Sequence, residues 1–158
     1  MQRGTIISTA IWLVLFAGFV WMIEAALNPN KAETLGNGET VVLKRDPSGH
    51  YRAEAYINGV QADVLVDTGA TGVAISQKLA DTLGITSHAA IATTTANGET
   101  VSYMTRLASV RLGGIEAKDV GATISPGLEG EALLGMSFLS RMDIRLYKGT
   151  MTIKQVTE

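Results

Sequence analysis

Apolar and polar positions divide this chain into two regimes. From Thr5 to Ile23 no charge interrupts a run that includes Ile6-Ile7, Ile11-Trp12-Leu13-Val14-Leu15-Phe16 and Phe19-Val20-Trp21-Met22-Ile23. At ~1.5 Å rise per residue, about nineteen helical residues cover roughly 28 Å, close to the hydrocarbon thickness of a bilayer. The pattern predicts residues 1–4 as a short N-terminus and 5–27 as one membrane-spanning anchor. Arg3 and the amino terminus precede the span and Glu24 follows it, so the positive-inside bias leaves the N-terminus cytoplasmic and the rest of the chain outside. Glu24-Ala25-Ala26 would also suit a cleaved signal peptide, but the apolar run exceeds the ~7 to 15 residues of a signal core, which favours a retained anchor.

Beyond the anchor the run of apolar residues gives way to short alternating stretches. Residues 28–39, rich in Asn, Gly and Pro, read as a linker without a core, and 40–158 as one folded domain. Thr40 to Arg45 is β-prone, Asp46-Pro47-Ser48-Gly49 supplies a turn, and Tyr51 to Ile57 alternates. Asn58-Gly59 is a two-residue hairpin signal before Val60 to Val66, and Val73-Ala74-Ile75 is a further strand. Ser76 can cap a brief helix carrying Leu79, Ala80 and Leu83, with Gly84 at the left-handed C-terminal position. A second hairpin spans Thr93 to Leu107 around Ala96-Asn97-Gly98, Ala108 to Leu112 runs into Gly113-Gly114, and Gly135 to Met142 reads as a short helix. Ile144 to Tyr147 pairs with Met151 to Val156 across Lys148-Gly149. Many short strands with one or two small helices predict a mostly β domain.

Composition narrows the chemistry. A formal charge of -2 and scattered charged residues give no basic field for nucleic acid. Without cysteine there is no disulfide, thiolate metal site or thiol nucleophile, and His50 and His88 lack metal-ligand spacing. No metal and no cofactor is expected.

One stretch does carry chemistry. Val64-Leu65-Val66 delivers Asp67 into Thr68-Gly69 with the small Ala70 behind it. A carboxylate at the end of a buried strand is costly to desolvate, and acid/base work is the reason inferred for it. Two carboxylates brought close cannot both ionise cheaply, so a pair shares a proton over a working pH range. One member then takes a proton from a water attacking a carbonyl while the other hydrogen-bonds the developing oxyanion. Asp63, Asp119 and Asp143 sit in alternating or loop contexts and read as solvated.

Asp67-Thr68-Gly69-Ala70 after an apolar strand, followed about seventy residues later by Leu133-Leu134-Gly135, resembles the retropepsin family of aspartic proteases. The likeness runs from Tyr51 to Tyr147. It implies a closed β-barrel forming one acid-protease half, a homodimer in which each copy supplies one Asp67, and a polypeptide substrate bound extended. It further implies that Thr68 locks the two active-site loops across the dimer axis, Gly69 lets backbone approach the carboxylates, and Ala70 lines the cleft. Leu133, Leu134 and Gly135 would support the loop from below, and Ala96, Asn97 and Gly98 would form a substrate-covering flap, favoured over a plain hairpin turn at Asn97-Gly98. Viral members tend to place an Asp after the first motif and an Arg after the second, where this chain has Thr71 and Met136. Both halves of that ion pair are missing together, so the dimer must be held differently. The chain looks more like bacterial membrane-anchored members, which implies an inner-membrane protein with its protease domain on the periplasmic side. An inert peptide-binding or scaffold module on the same fold is the alternative.

Overall fold

The structure, a computed structural model, describes residues 2–27, 32–35, 38–95 and 98–156, with side chains over 9–23, 32, 38–95 and 98–156. The N-terminal helix α1 spans Gln2–Leu27 and exposes its large apolar side chains from Ile11 to Ile23. Among the described residues no helix is long and apolar enough to cross a membrane, so the expected 5–27 span is met as a helix and not as a demonstrated crossing.

The elements that follow are β1 (Glu33–Leu35), β2 (Thr40–Lys44), β3 (Tyr51–Ile57), β4 (Val60–Val66), β5 (Val73–Ile75), α2 (Gln77–Thr82), β6 (Ala90–Thr95) and β7 (Gly98–Leu112). They are completed by β8 (Ile115–Ile124), β9 (Ala132–Leu134), α3 (Met136–Leu139), β10 (Met142–Tyr147) and β11 (Thr150–Gln155). One sheet runs β3-β4-β9-β5-β8-β7-β6, and a further pairing of β3 with β7 closes its first six strands into a barrel. The second sheet runs β1-β2-β11-β10 and covers one side of the barrel with Val41, Leu43, Met151 and Ile153, all buried in the common core.

Local chemistry explains the turns. Asn58 (φ 48°) and Gly59 (φ 84°) both take positive φ, as a tight hairpin between right-twisted strands requires, and Lys148 (φ 45°) and Gly149 (φ 79°) repeat the device. Asn58 also helps close the barrel, its Oδ1 accepting from Ser109 N–H at 3.0 Å while its own N–H donates to Ser109 C=O at 2.9 Å. Ser76 caps α2 by accepting from Leu79 N–H, and the left-handed Gly84 with Ile85 satisfies the last carbonyls, donating to Asp81 and Ala80.

Three expectations change. The linker is not featureless, because Glu33–Leu35 pairs antiparallel with β2 and Ala32 packs against the core. Its end is also clamped: a Cβ on Gly114 would collide with the Gly38 backbone, and Glu39 C=O accepts from Gln155 N–H. The helix expected over Gly135 to Met142 is shorter, since Met142 is already in β10 and buried. Thr100 to Leu107 and Ala108 to Leu112 belong to one strand, the 15-residue β7, rather than two; it keeps one register with β8, a strand the sequence reading passed over, on both sides of Ala108.

The turn from β2 into β3 is organised by Asp46. Its carboxylate accepts from Ser48 Oγ at 2.6 Å and from His50 N–H at 2.9 Å, with Arg52 Nε 3.3 Å away. The Ser48 hydroxyl first, then backbone N–H groups and Arg52, hold its pKa below the ordinary value of 3.8, against a smaller opposing effect of burial. A depressed folded-state pKa stabilises the fold above the unfolded value and loses that contribution as pH falls through the folded one. Asp46→Asn is therefore expected to lower stability by under about 1 kcal/mol at neutral pH, with the difference from wild type closing below about pH 3.8. Urea melts across pH 2.5 to 7 check this, and a constant gap across that range would contradict it.

Candidate active site

Asp67 is placed by two strands that run side by side in parallel. Ala62, Val64 and Val66 of β4 are core residues, and the last three residues of β4 pair with β9 as Val64↔Ala132, Leu65↔Leu133 and Val66↔Leu134. Asp67 N–H extends that ladder by one bond, donating to Leu134 C=O at 3.1 Å. The chain then turns sharply, with Gly69 N–H donating to Asp67 Oδ1 at 2.8 Å and Ala70 N–H to Asp67 C=O at 3.3 Å. An added Cβ on Gly69 would sit 3.1 Å from Oδ1, so glycine keeps the amide close to the carboxylate. Asp67 is half-buried rather than sunk in the core, which makes its desolvation milder than the strand position suggested.

The loop is then pinned from beneath. Ala70 C=O accepts from Met136 N–H at 2.9 Å, and buried Gly135 lies where the two backbones cross. A Cβ there would meet Ala70 O at 2.6 Å and would approach Gly72 O still more closely. Ser137, which the sequence reading did not single out, ties a third segment in: its Oγ accepts from Val73 N–H at 2.9 Å and donates to Gly121 C=O at 2.7 Å. A serine two residues past a glycine carries no distinctive sequence signal, so only the tertiary structure reveals it.

The expected site residues therefore gather at one place, with adjusted roles. Leu134 is fully buried under the loop, whereas Leu133, expected beside it beneath the loop, is half-buried on the opposite face of β9. Thr68 and Gly69 are exposed at the rim and Ala70 is half-buried. Of the flap residues, Gly98 opens β7 opposite Thr95, while Ala96 and Asn97 lie outside the described residues. Asp119 is exposed, as expected, and also paired: Arg106 grips its carboxylate through Nε at 2.6 Å, and Arg141 donates to its carbonyl at 3.0 Å. That pairing, Arg106 foremost, lowers the pKa of Asp119. Asp143 faces Arg145 at 3.6 Å. Among the described residues no cluster of three or more His, Cys, Asp or Glu could hold a metal ion.

Residues 53–141, from β3 through α3, match the family described as "gag-polyprotein putative aspartyl protease". The chain belongs to the retropepsin-like aspartic protease family. This retropepsin-like chain is similar, at 30% identity and a TM-score of 0.65, to a retropepsin-like aspartic protease from Rickettsia conorii, over 73% of this chain and 90% of that one. It is 30% identical over 146 residues to the "Uncharacterized protein in cobV 5'region" of Sinorhizobium sp, covering 88% of this chain and 63% of the relative. It is 32% identical over 143 residues to "Uncharacterized protein RP867" of Rickettsia prowazekii (strain Madrid E), covering 83% of this chain and 61% of the relative. The chain thus spans about three fifths of the length of these two relatives.

Because both atoms facing Gly135 are backbone carbonyls, neither can swing aside. Gly135→Ala is expected to destabilise the retropepsin-like domain by about 2–4 kcal/mol. Ser137→Ala, which removes the bonds to Val73 N–H and Gly121 C=O, is expected to cost about 1–2 kcal/mol. Thermal unfolding of both variants tests the order, and a Gly135→Ala protein as stable as wild type would contradict the crossing.

Proposed function

We propose that this chain is a homodimeric aspartic endopeptidase in which two Asp67 carboxylates, one from each copy, activate a water against a peptide carbonyl. The observation that carries the reading is the Asp67 loop itself. One carboxylate oxygen is fixed by Gly69 N–H, the backbone is locked over Gly135, and the neighbouring Thr68 side chain is exposed at the rim. One copy offers one such acid, and the chemistry needs two. The charged member takes the proton of the attacking water, and the protonated member hydrogen-bonds the oxyanion before the leaving amine is protonated. The two apparent pKa values then belong to the pair, and activity follows a bell in pH.

The support for a second copy as partner lies in β10. It is an edge strand of its sheet among the described residues, with Leu146 54% and Tyr147 70% exposed, and it starts just after α3 beneath the Asp67 loop. Asp143 and Arg145 stand on either side of Ile144, so an antiparallel pairing centred on Ile144 sets opposite charges face to face. This edge would replace the ion pair whose two halves are absent at Thr71 and Met136. What supports a membrane tether is the exposure of the apolar side chains described along the N-terminal helix, from Ile11 to Ile23. Tethering both copies in one bilayer raises their effective concentration.

Asp67→Asn is expected to abolish peptide cleavage while leaving thermal unfolding unchanged, and cleavage retained by that variant would sink the mechanism. Leu146→Lys is expected to cut activity about tenfold or more at nanomolar protein and to recover it as concentration rises, read by cleavage rate alongside sedimentation. For the anchor, the full chain is expected to stay with membranes through alkaline carbonate washing, and its release into the wash would remove the tether from the proposal.

A further inference from the structure

The four-stranded sheet packs one face on the barrel and turns the other outward. By the register of β2, β11 and β10, the outward face carries Lys44, Lys154, Arg145 and Tyr147, all exposed. Lys148, at the turn that follows, lies over the Tyr147 ring with its Nζ 5.3 Å from the centre. Two acidic positions fall in the same rows: Asp143, which Arg145 holds at 3.6 Å, and Glu33 of β1, opposite Val42. Charge is divided unevenly along the chain. Residues 40–45 and 142–156 hold five Lys or Arg against one Asp, whereas residues 46–141 hold six against ten Asp or Glu. A cationic sheet on an otherwise acidic domain is matched to an anionic surface, and an exposed tyrosine beside a lysine suits the boundary between water and lipid.

The path of the chain selects which anionic surface. Helix α1 ends at Leu27, and Ala32 already packs against the core beside this sheet. Five Cα steps from one to the other reach at most roughly 18 Å, whereas the barrel behind the sheet is two sheet spacings deep, about 20 Å. A helix seated in a bilayer therefore keeps this sheet, and not the far wall of the barrel, beside the lipid. The pairing of two copies along β10 agrees with it. Its two-fold is normal to the joined sheet, and two helices entering one bilayer from the same side require a two-fold normal to the membrane. We propose that the outward face of the four-stranded sheet docks on anionic lipid headgroups, with Lys44, Lys154 and Arg145 toward the phosphates and the barrel turned to the water. This rests on the membrane tether proposed above and adds to it the side of the domain that meets the lipid.

Because the chain has no cysteine, single labels report on this face directly. Thr152→Cys places a fluorophore on the outward face, and Glu99→Cys places one at the other end of β7 from the turn whose Gly114 touches Gly38. The full chain carrying either label is reconstituted in phosphatidylcholine vesicles with and without phosphatidylglycerol, with a headgroup-nitroxide lipid as quencher. Quenching of the Thr152 label is expected to be about twofold or more stronger in the anionic vesicles, and to lose that difference at about 0.5 M salt, where the screening length is roughly 4 Å. Lys44→Gln/Lys154→Gln, which leaves β10 untouched, is expected to remove most of the difference with thermal unfolding unchanged; Lys154→Gln alone replaces it if the pair lowers the unfolding midpoint. Equal quenching in both lipids, no quenching, or quenching of the Glu99 label instead would overturn the proposal. So would a Thr152 signal that follows protein density and not lipid composition, which would make a second copy the cover. Alkaline carbonate washing keeps the two readings apart. If it releases the chain, the tether falls by itself, and sedimentation of the full chain with anionic vesicles at neutral pH, with and without Lys44→Gln/Lys154→Gln, then decides the face; equal or absent binding overturns it.

Discussion

Two backbones touch at Gly135 with no side chain between them, and the geometry of the acid depends on that contact. The chain leaving β4 must turn at Asp67, double back through Gly72 and enter β5, while the chain leaving β9 passes directly beneath it into α3. Any Cβ at the crossing would push the loop outward and carry the carboxylate with it. Around this crossing the bonds from Asp67 to Leu134, from Met136 to Ala70 and from Val73 to Ser137 act as three separate stitches. Preorganisation of this kind is what the proposed acid/base role of Asp67 would require.

The barrel explains why such a crossing is stable. β4, β9, β5 and β8 are adjacent, and their pairings alternate between parallel and antiparallel. Short strands such as β5 and β9 would be marginal alone, yet each is flanked on both sides and buries residues such as Ile75 and Leu134 completely. Burial of those side chains stabilises the segments on which the loop is stitched, so core packing and site geometry are one structure.

Much of this was legible in the residues, and the reasons are local. Asn58-Gly59, Ser76 and Gly84 announce their turns and caps because their conformations are set by the residue and its immediate neighbours. The Asp67 motif and Leu133-Leu134-Gly135 were legible for a similar reason, as short patterns with narrow steric demands. What escaped notice depends on partners distant in sequence. Leu133 and Leu134 look alike in the chain, and only the pairing of β9 decides which one faces the core. Ser137, the clamp between Gly38 and Gly114, and the strand over Glu33–Leu35 all arise from contacts that no local pattern encodes. The continuity of β7 was hidden for the opposite reason: the strand joins two pairing environments that the sequence presents as separate segments.

That continuity sets where the molecule can bend. The outer part of β7 pairs with β6 and its inner end closes the barrel against β3, while from Tyr103 inward it is also laddered to β8. Lifting the whole strand would unzip the barrel, so the fulcrum falls near Tyr103, where β8 ends at Ile124. The arm beyond it, β6 with the outer part of β7, is about 20 Å long at ~3.4 Å per residue along each strand. Bending of the hairpin beyond that point would leave the pairings that close the barrel intact.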